Sequence, residues 1–205
     1  MSSGSVAASG FIISLDNSKM LFEQLIADDY LHNQLDHVAK VLLATLANEG
    51  TIFTIGNGGS MSEATHFSEE LVGKFGGPRR PLASIALSDP AALTCIANDF
   101  GFEHVFSRQV EALAKPDDTL LVFSTSGESE NLVQAAIAAQ AKGVTVLGIL
   151  GNLGGRVKDQ CDYSVVVGGK PDLLDSSTIQ LVHLIIVHTI VDWLETTLCG
   201  AEVKP

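Results

Sequence analysis

The sequence predicts an α/β fold: a three-layer sandwich with a five-stranded, mostly parallel sheet flanked by helices. Five aliphatic or β-branched runs lack polar alternation, the pattern of strands buried on both faces. Helical patterns separate them, and strand–helix alternation along one chain favours parallel pairing through crossover helices. Two of the runs break into Gly, Ser, Thr or Asn just where a helix begins, the junction at which open parallel sheets bind ligands.

Each element has its own signature. Residues 1–10 are small and largely polar, and 1–15 read as a disordered tail or a cloning remnant. From Asp16 to Asn48 apolar residues recur at helical spacing: Leu21, Phe22, Leu25 and Ile26, then Leu35, Val38, Leu42, Leu43 and Leu46. That spacing predicts two helices with a break near Asp28 and Asp29. Strands follow at 51–55, 82–87, 119–123, 144–150 and 163–167, and helices at 60–75, 103–114, 130–141 and 175–198. At 205 residues there is room for one domain with a full core, assigned to 16–200.

Composition excludes several classes of function. Lys+Arg number 12 against 24 Asp+Glu, a net charge of −12, so no diffuse basic surface exists to hold a nucleic-acid backbone. Cys95, Cys161 and Cys199 lie far apart without a C-x-x-C pair, which argues against a disulfide framework or a cysteine zinc site and for a reducing cytosol. The most apolar stretch, 181–191, is interrupted by His183 and His188, and no membrane span is expected. A mean hydropathy of +0.29, with unusually aliphatic first and last helices, predicts a subunit interface.

The two strand-to-helix loops point to an anion. Gly56-Asn57-Gly58-Gly59-Ser60 ends the first, and Ser124-Thr125-Ser126-Gly127-Glu128-Ser129 ends the second. Unpaired N–H groups of the first helical turn, the positive helix end and nearby hydroxyls converge on one point that suits a phosphate. Turn and cap chemistry uses the same residues, but two such loops in one small domain favour a phosphorylated ligand. A dinucleotide fingerprint is ruled against by Met61, where its third glycine belongs, and a P-loop by the lack of Gly-Lys-Ser/Thr.

Candidate chemistry lies on two helices. His66 and Glu70, four apart, share one face about a turn from the first loop, while Gln180, His183 and His188 lie on the last helix. Two imidazoles, a carboxylate and an amide could hold a divalent metal or supply a general acid and base. Surface pairing of His66 with Glu70 and a core role for the last-helix histidines are the plain structural alternatives.

Six motifs in order, Gly56-Asn-Gly-Gly-Ser60, His66-Phe-Ser-Glu-Glu70-Leu, Asn98-Asp-Phe-Gly-Phe102, Phe106-Ser-Arg-Gln-Val-Glu-Ala-Leu113, Ser124-Thr-Ser-Gly-Glu-Ser129 and Ile179-Gln180 with His188, resemble the sugar isomerase (SIS) fold family over about residues 20–196. The resemblance implies a flavodoxin-like sheet, a cytoplasmic homotetramer with active sites between subunits, and isomerisation of sedoheptulose 7-phosphate to a heptose 7-phosphate for surface-polysaccharide precursors. By that likeness Glu70 is the general base and His188 the general acid. His66, Glu70, Gln180 and His188 match a zinc set, one ion per subunit with partial occupancy. Asn57, Gly58, Ser60, Glu70, Asn98, Asp99, Ser124, Thr125, Ser126, Ser129 and Gln180 match substrate-binding positions. The chain departs from the family pattern at Glu63, Lys74, Ser177, Thr178 and Leu181, around the sugar. Two alternatives stand beside this: an isomerase for another sugar phosphate, and a non-catalytic SIS-fold regulator that binds a sugar phosphate or a protein.

Overall fold

A computed structural model describes residues 5–168 and 175–200. Two helices open the chain, α1 (Ser5–Ile26) and α2 (Asp29–Ala47), separated where Asp28 caps α2 by accepting from the Leu31 amide. Then strand and helix alternate: β1 (Ile52–Ile55), α3 (Gly59–Val72), β2 (Ser84–Ala86), α4 (Pro90–Phe100), a 3₁₀ turn at Phe102–His104, α5 (Ser107–Leu113), β3 (Thr119–Ser124), α6 (Glu130–Ala141), β4 (Thr145–Asn152), α7 (Gly155–Lys158), β5 (Tyr163–Gly168) and α8 (Ser176–Cys199). The five strands are parallel in the order β2-β1-β3-β4-β5. Strand order therefore reverses between β1 and β3, and a crevice opens beyond their carboxyl ends.

Strand alternation divides the core. Leu121 and Phe123 of β3 face one side, among residues of α1, α2, α3 and α8, while Leu120 and Val122 face the other, among α5 and α6. A chain of buried hydroxyls locks α3 onto the sheet. Thr54 donates to the Ala64 carbonyl at 2.8 Å and pairs with Ser68 at 2.9 Å, Ser68 pairs with Ser84 at 2.9 Å, and Ser84 donates to the Ile52 carbonyl at 3.1 Å. The opposite face of α3 is thereby aimed at α8.

Some sequence expectations need correction. Residues 5–15, expected as disordered tail, are helical: α1 continues through Ala7 and Ala8, good helix formers, while 1–4 lie outside the described residues. The helix expected over 103–114 is a 3₁₀ turn followed by the shorter α5, because Gly101 at φ 101° redirects the chain. The helix α4 was not anticipated. Asp89 caps it and Pro90 opens it; none of its residues is fully buried, and a short stripe of Leu93, Ile96 and Ala97 rests partly buried on the core beside α5 and α6. Among the described residues, α8 is the one helix long and apolar enough to cross a membrane. In the fold 44% of its apolar window is buried, against α3, β4, β5 and α2.

Candidate active site

The first loop is shaped by backbone crowding. Gly58 adopts φ +54°, and a Cβ on Gly59 would fall 2.2 Å from the Gln180 amide nitrogen, so a side chain there would push the Gln180 amide from its present place. Asn57 and Asn131 then exchange two amide hydrogen bonds of 2.9 Å, tying the loop after β1 to the start of α6. Both border an open cleft of about 630 Å³ that Ser129 and Phe102 also line. Ser60 is buried at the start of α3.

The second loop separates structural hydroxyls from available ones. Buried Ser124 accepts from the Gly127 amide at 2.9 Å, and Ser126 from the Glu128 amide at 3.2 Å. Thr125 pairs with Ser176 at the start of α8, 3.1 Å away. Ser129 is the residue before α6 yet makes no side-chain cap, which leaves its hydroxyl and the first-turn amides facing the cleft. Glu130 beside it is paired with Arg156 at 2.7 Å; bonds from Gln134 and then Arg156 hold its carboxyl below the usual range. An anion here would rest on amides and hydroxyls, with no free arginine or lysine side chain bonded into the loop among the described residues.

Behind the loops α3 and α8 run side by side in the same direction, as their paired residues show: Glu63 meets His183, His66 meets His188, and Phe75 and Gly76 meet Glu195. His66 Nε2 and His188 Nε2 are 2.9 Å apart, and Glu70 Oε1 is 3.6 Å from His66 Nε2. Ligand atoms of His66, Glu70 and His188 all lie within 4.8 Å of one another, each residue half-buried. Phe75 packs over His188 with ring centroids 5.3 Å apart.

Two borderline nitrogens and a carboxylate oxygen are donors that suit a divalent ion such as zinc. Nitrogens 2.9 Å apart stand a few tenths of an ångström closer than the about 3.3 Å spanned across a tetrahedral ion, so a small opening of the rings would admit one. Glu69 Oε1, 3.4 Å from His66 Nδ1, is placed to orient that ring from behind. Gln180, the fourth residue of the expected set, has its amide against Gly59. Its Cα is eight residues from His188, about 12 Å along the helix.

Asn98 and Asp99 are not brought to this cluster within one chain. They lie exposed on α4, where the Asn98 amide donates to Asp99 at 2.7 Å. His183 is fully buried and points to Glu63 at 3.5 Å, a core pair and not a part of the open cluster. Cys161 is no candidate nucleophile, since burial and then Asp162 push its thiol up to about 12. Sequence reading missed Asn131, Arg79 and Glu195. Their partners lie 74 and 116 positions away, beyond any local pattern.

A parallel 2-1-3-4-5 sheet, two Gly/Ser loops at its switch point and an imidazole–carboxylate cluster behind them make an anion-binding α/β domain equipped for acid–base or metal chemistry. Residues 15–151 match the SIS domain. The chain is 44% identical to phosphoheptose isomerase of Campylobacter concisus over 161 residues, 78% of this chain and 83% of that one. It is 38% identical to phosphoheptose isomerase of Fusobacterium nucleatum over 175 residues, 85% and 88% of the two chains. The solved structure of a phosphoheptose isomerase from Francisella tularensis superposes with TM-score 0.82 at 32% identity, covering 96% of this chain and all of that one. The chain belongs to the SIS domain family, in its phosphoheptose isomerase branch.

Proposed function

We propose that this chain isomerises sedoheptulose 7-phosphate to D-glycero-D-manno-heptose 7-phosphate, a ketose–aldose conversion through an enediol. The observation that carries it is the meeting of His66, Glu70 and His188 behind two phosphate-type loops, in a chain so similar to phosphoheptose isomerases. The substrate phosphate sits at the start of α6 on Ser126, Ser129 and the first amides, with Ser124 and Thr125 shaping the loop. Asn57, Gly58, Ser60 and Gln180 contact the sugar. Anchoring at one end turns proton transfer at the other into a positioned, unimolecular event.

Glu70 removes a proton from C1 of the ketose and returns it to C2. His188 donates a proton to the C2 oxygen as the enediol forms and takes back the one that the C1 hydroxyl gives up, so the formula is unchanged and the imidazole is restored. His66, Glu70 and His188 would hold zinc, with Gln180 joining if its amide leaves Gly59. When bound, zinc supplies Lewis-acid polarisation of the carbonyl. Zinc measured by elemental analysis after supplementation should fall in the His66→Ala and His188→Ala variants. Equal zinc in all three proteins removes the metal assignment.

The domain acts in the cytoplasm as a homotetramer, where a neighbour's Asn98 and Asp99 complete the sugar site that one chain leaves open. A non-catalytic regulator is disfavoured because the imidazoles and the carboxylate are all present and converge. Incubation with sedoheptulose 7-phosphate, followed by NMR of the anomeric region, tests the reading. New aldose signals are expected; an unchanged spectrum at high enzyme concentration overturns it.

A further inference from the structure

The last turn of α3 ends without a left-handed glycine cap: Gly73, just beyond it, has φ −79°. A side chain takes over that task. The Arg79 side chain is 1% exposed; its Nη2 donates to the Glu70 carbonyl at 2.5 Å, and its Nη1 to the Leu71 and Arg80 carbonyls at 2.8 and 3.0 Å. Its Nε donates at 2.5 Å to Glu195 of α8, itself 2% exposed. The Glu195 carboxylate also accepts from the Phe75 amide at 2.7 Å and the Gly76 amide at 2.8 Å. Arg79 and Glu195 thus form a closed clasp between the end of α3, the loop that follows and the far half of α8.

Both arms of this clasp end on the candidate acid–base pair. One arm bonds the backbone of Glu70 itself, two residues from the end of a helix whose last carbonyls have no intrahelical partners. The other fixes the Phe75 backbone, and the Phe75 ring lies over His188. We propose that Arg79 and Glu195 are positioning residues that set the Glu70 carboxylate and the His188 ring against each other for proton transfer. This rests on the isomerase reading above. Only a guanidinium can serve all four carbonyl and carboxylate oxygens from one planar fork, so lysine is not an adequate substitute.

Three variants test it: Arg79→Lys, Glu195→Gln and Phe75→Leu, with Leu120→Ala, in the core on the other face of the sheet, as a control for lost stability alone. With sedoheptulose 7-phosphate, each clasp variant should lose at least tenfold in kcat while KM stays within about twofold, since the phosphate loop is untouched. The control should keep kcat once folded. Independently of turnover, histidine-selective labelling reads the ring-current shift that Phe75 imposes on His188. Phe75→Leu should abolish that shift, and Glu195→Gln should move it in the same direction. Should the parent protein fail to turn over the sugar, the isomerase reading falls and the His188 signal still decides the clasp. Unchanged His188 resonances in Glu195→Gln, or kcat within twofold of the parent in Arg79→Lys, overturn the proposal. Phe75→Leu, which alters no buried charge, keeps the test available if the charge variants fail to fold.

Discussion

Glu70 stands two residues from the end of α3, with its oxygen 3.6 Å from one imidazole and a second imidazole beyond it. Glu70→Gln preserves size and hydrogen bonding yet cannot take a proton from carbon. Turnover should fall by roughly 10²–10⁴-fold, the usual worth of a positioned base, while phosphate binding and melting temperature hold. Residual activity at tens of per cent of the parent would remove Glu70 from that role. At this scale the sequence was partly readable. The i,i+4 spacing of His66 and Glu70 announced one half of the cluster and the family resemblance named His188, while the fold supplied their 2.9 Å meeting across 122 positions. Nothing local marked Asn131, because an amide that matters by meeting Asn57 looks like any helix-start asparagine.

Among elements, the loop after β3 divides its labour. Ser124 is buried and spends its hydroxyl on the Gly127 amide, whereas Ser129 leaves its hydroxyl free of capping. Replacing Ser126 and Ser129 with alanine should therefore weaken sugar-phosphate binding by about 1–3 kcal/mol, the scale for hydrogen bonds to charged groups. Ser124→Ala should chiefly lower the melting temperature. Unchanged KM and unchanged inhibition by inorganic phosphate in the double variant would reduce the loop to plain capping. The pairing of α3 with α8 carries a pH signature. Burial opposes ionisation of Glu195, but the Phe75 and Gly76 amides and Arg79 outweigh it and hold its carboxyl below the usual range. A lowered folded-state value makes this group stabilising above its unfolded value of about 4.3, and that contribution is lost as pH falls through the folded value. Thermal melts should therefore drop more steeply between pH 6 and pH 3 for the parent than for Glu195→Gln; parallel curves would contradict it. Strands were readable because both faces are apolar, and α6 was placed to the residue. The helix α4 escaped because its apolar stripe, Leu93, Ile96 and Ala97, spans only about one turn, too short a run to stand out.

Over the whole molecule, apolar side chains remain uncovered along α1 and the outer face of α8: Phe11, Ile12, Ile13, Met20 and Ile26 are more than half exposed, and Leu181 and Ile185 nearly so. A groove of about 310 Å³ between Phe22, Leu25, Leu35 and Ile186 joins the two helices. A monomer seldom leaves so continuous an apolar face in water. Light scattering at micromolar concentration should give about four times the 21.6 kDa chain mass; a monomer would reject the assembly and the borrowed Asp99 with it.

The same-direction packing of α3 and α8 also governs when the site comes into being. Parallel neighbours cannot be joined by a tight turn, and here the contacts that matter, His66 with His188 and Glu63 with His183, span 122 and 120 positions. On a ribosome the sheet, the hydroxyl loops and Glu70 emerge well before the final helix. Chemistry waits for α8 to dock on α3, so competence of the cluster reports that this long-range contact has closed.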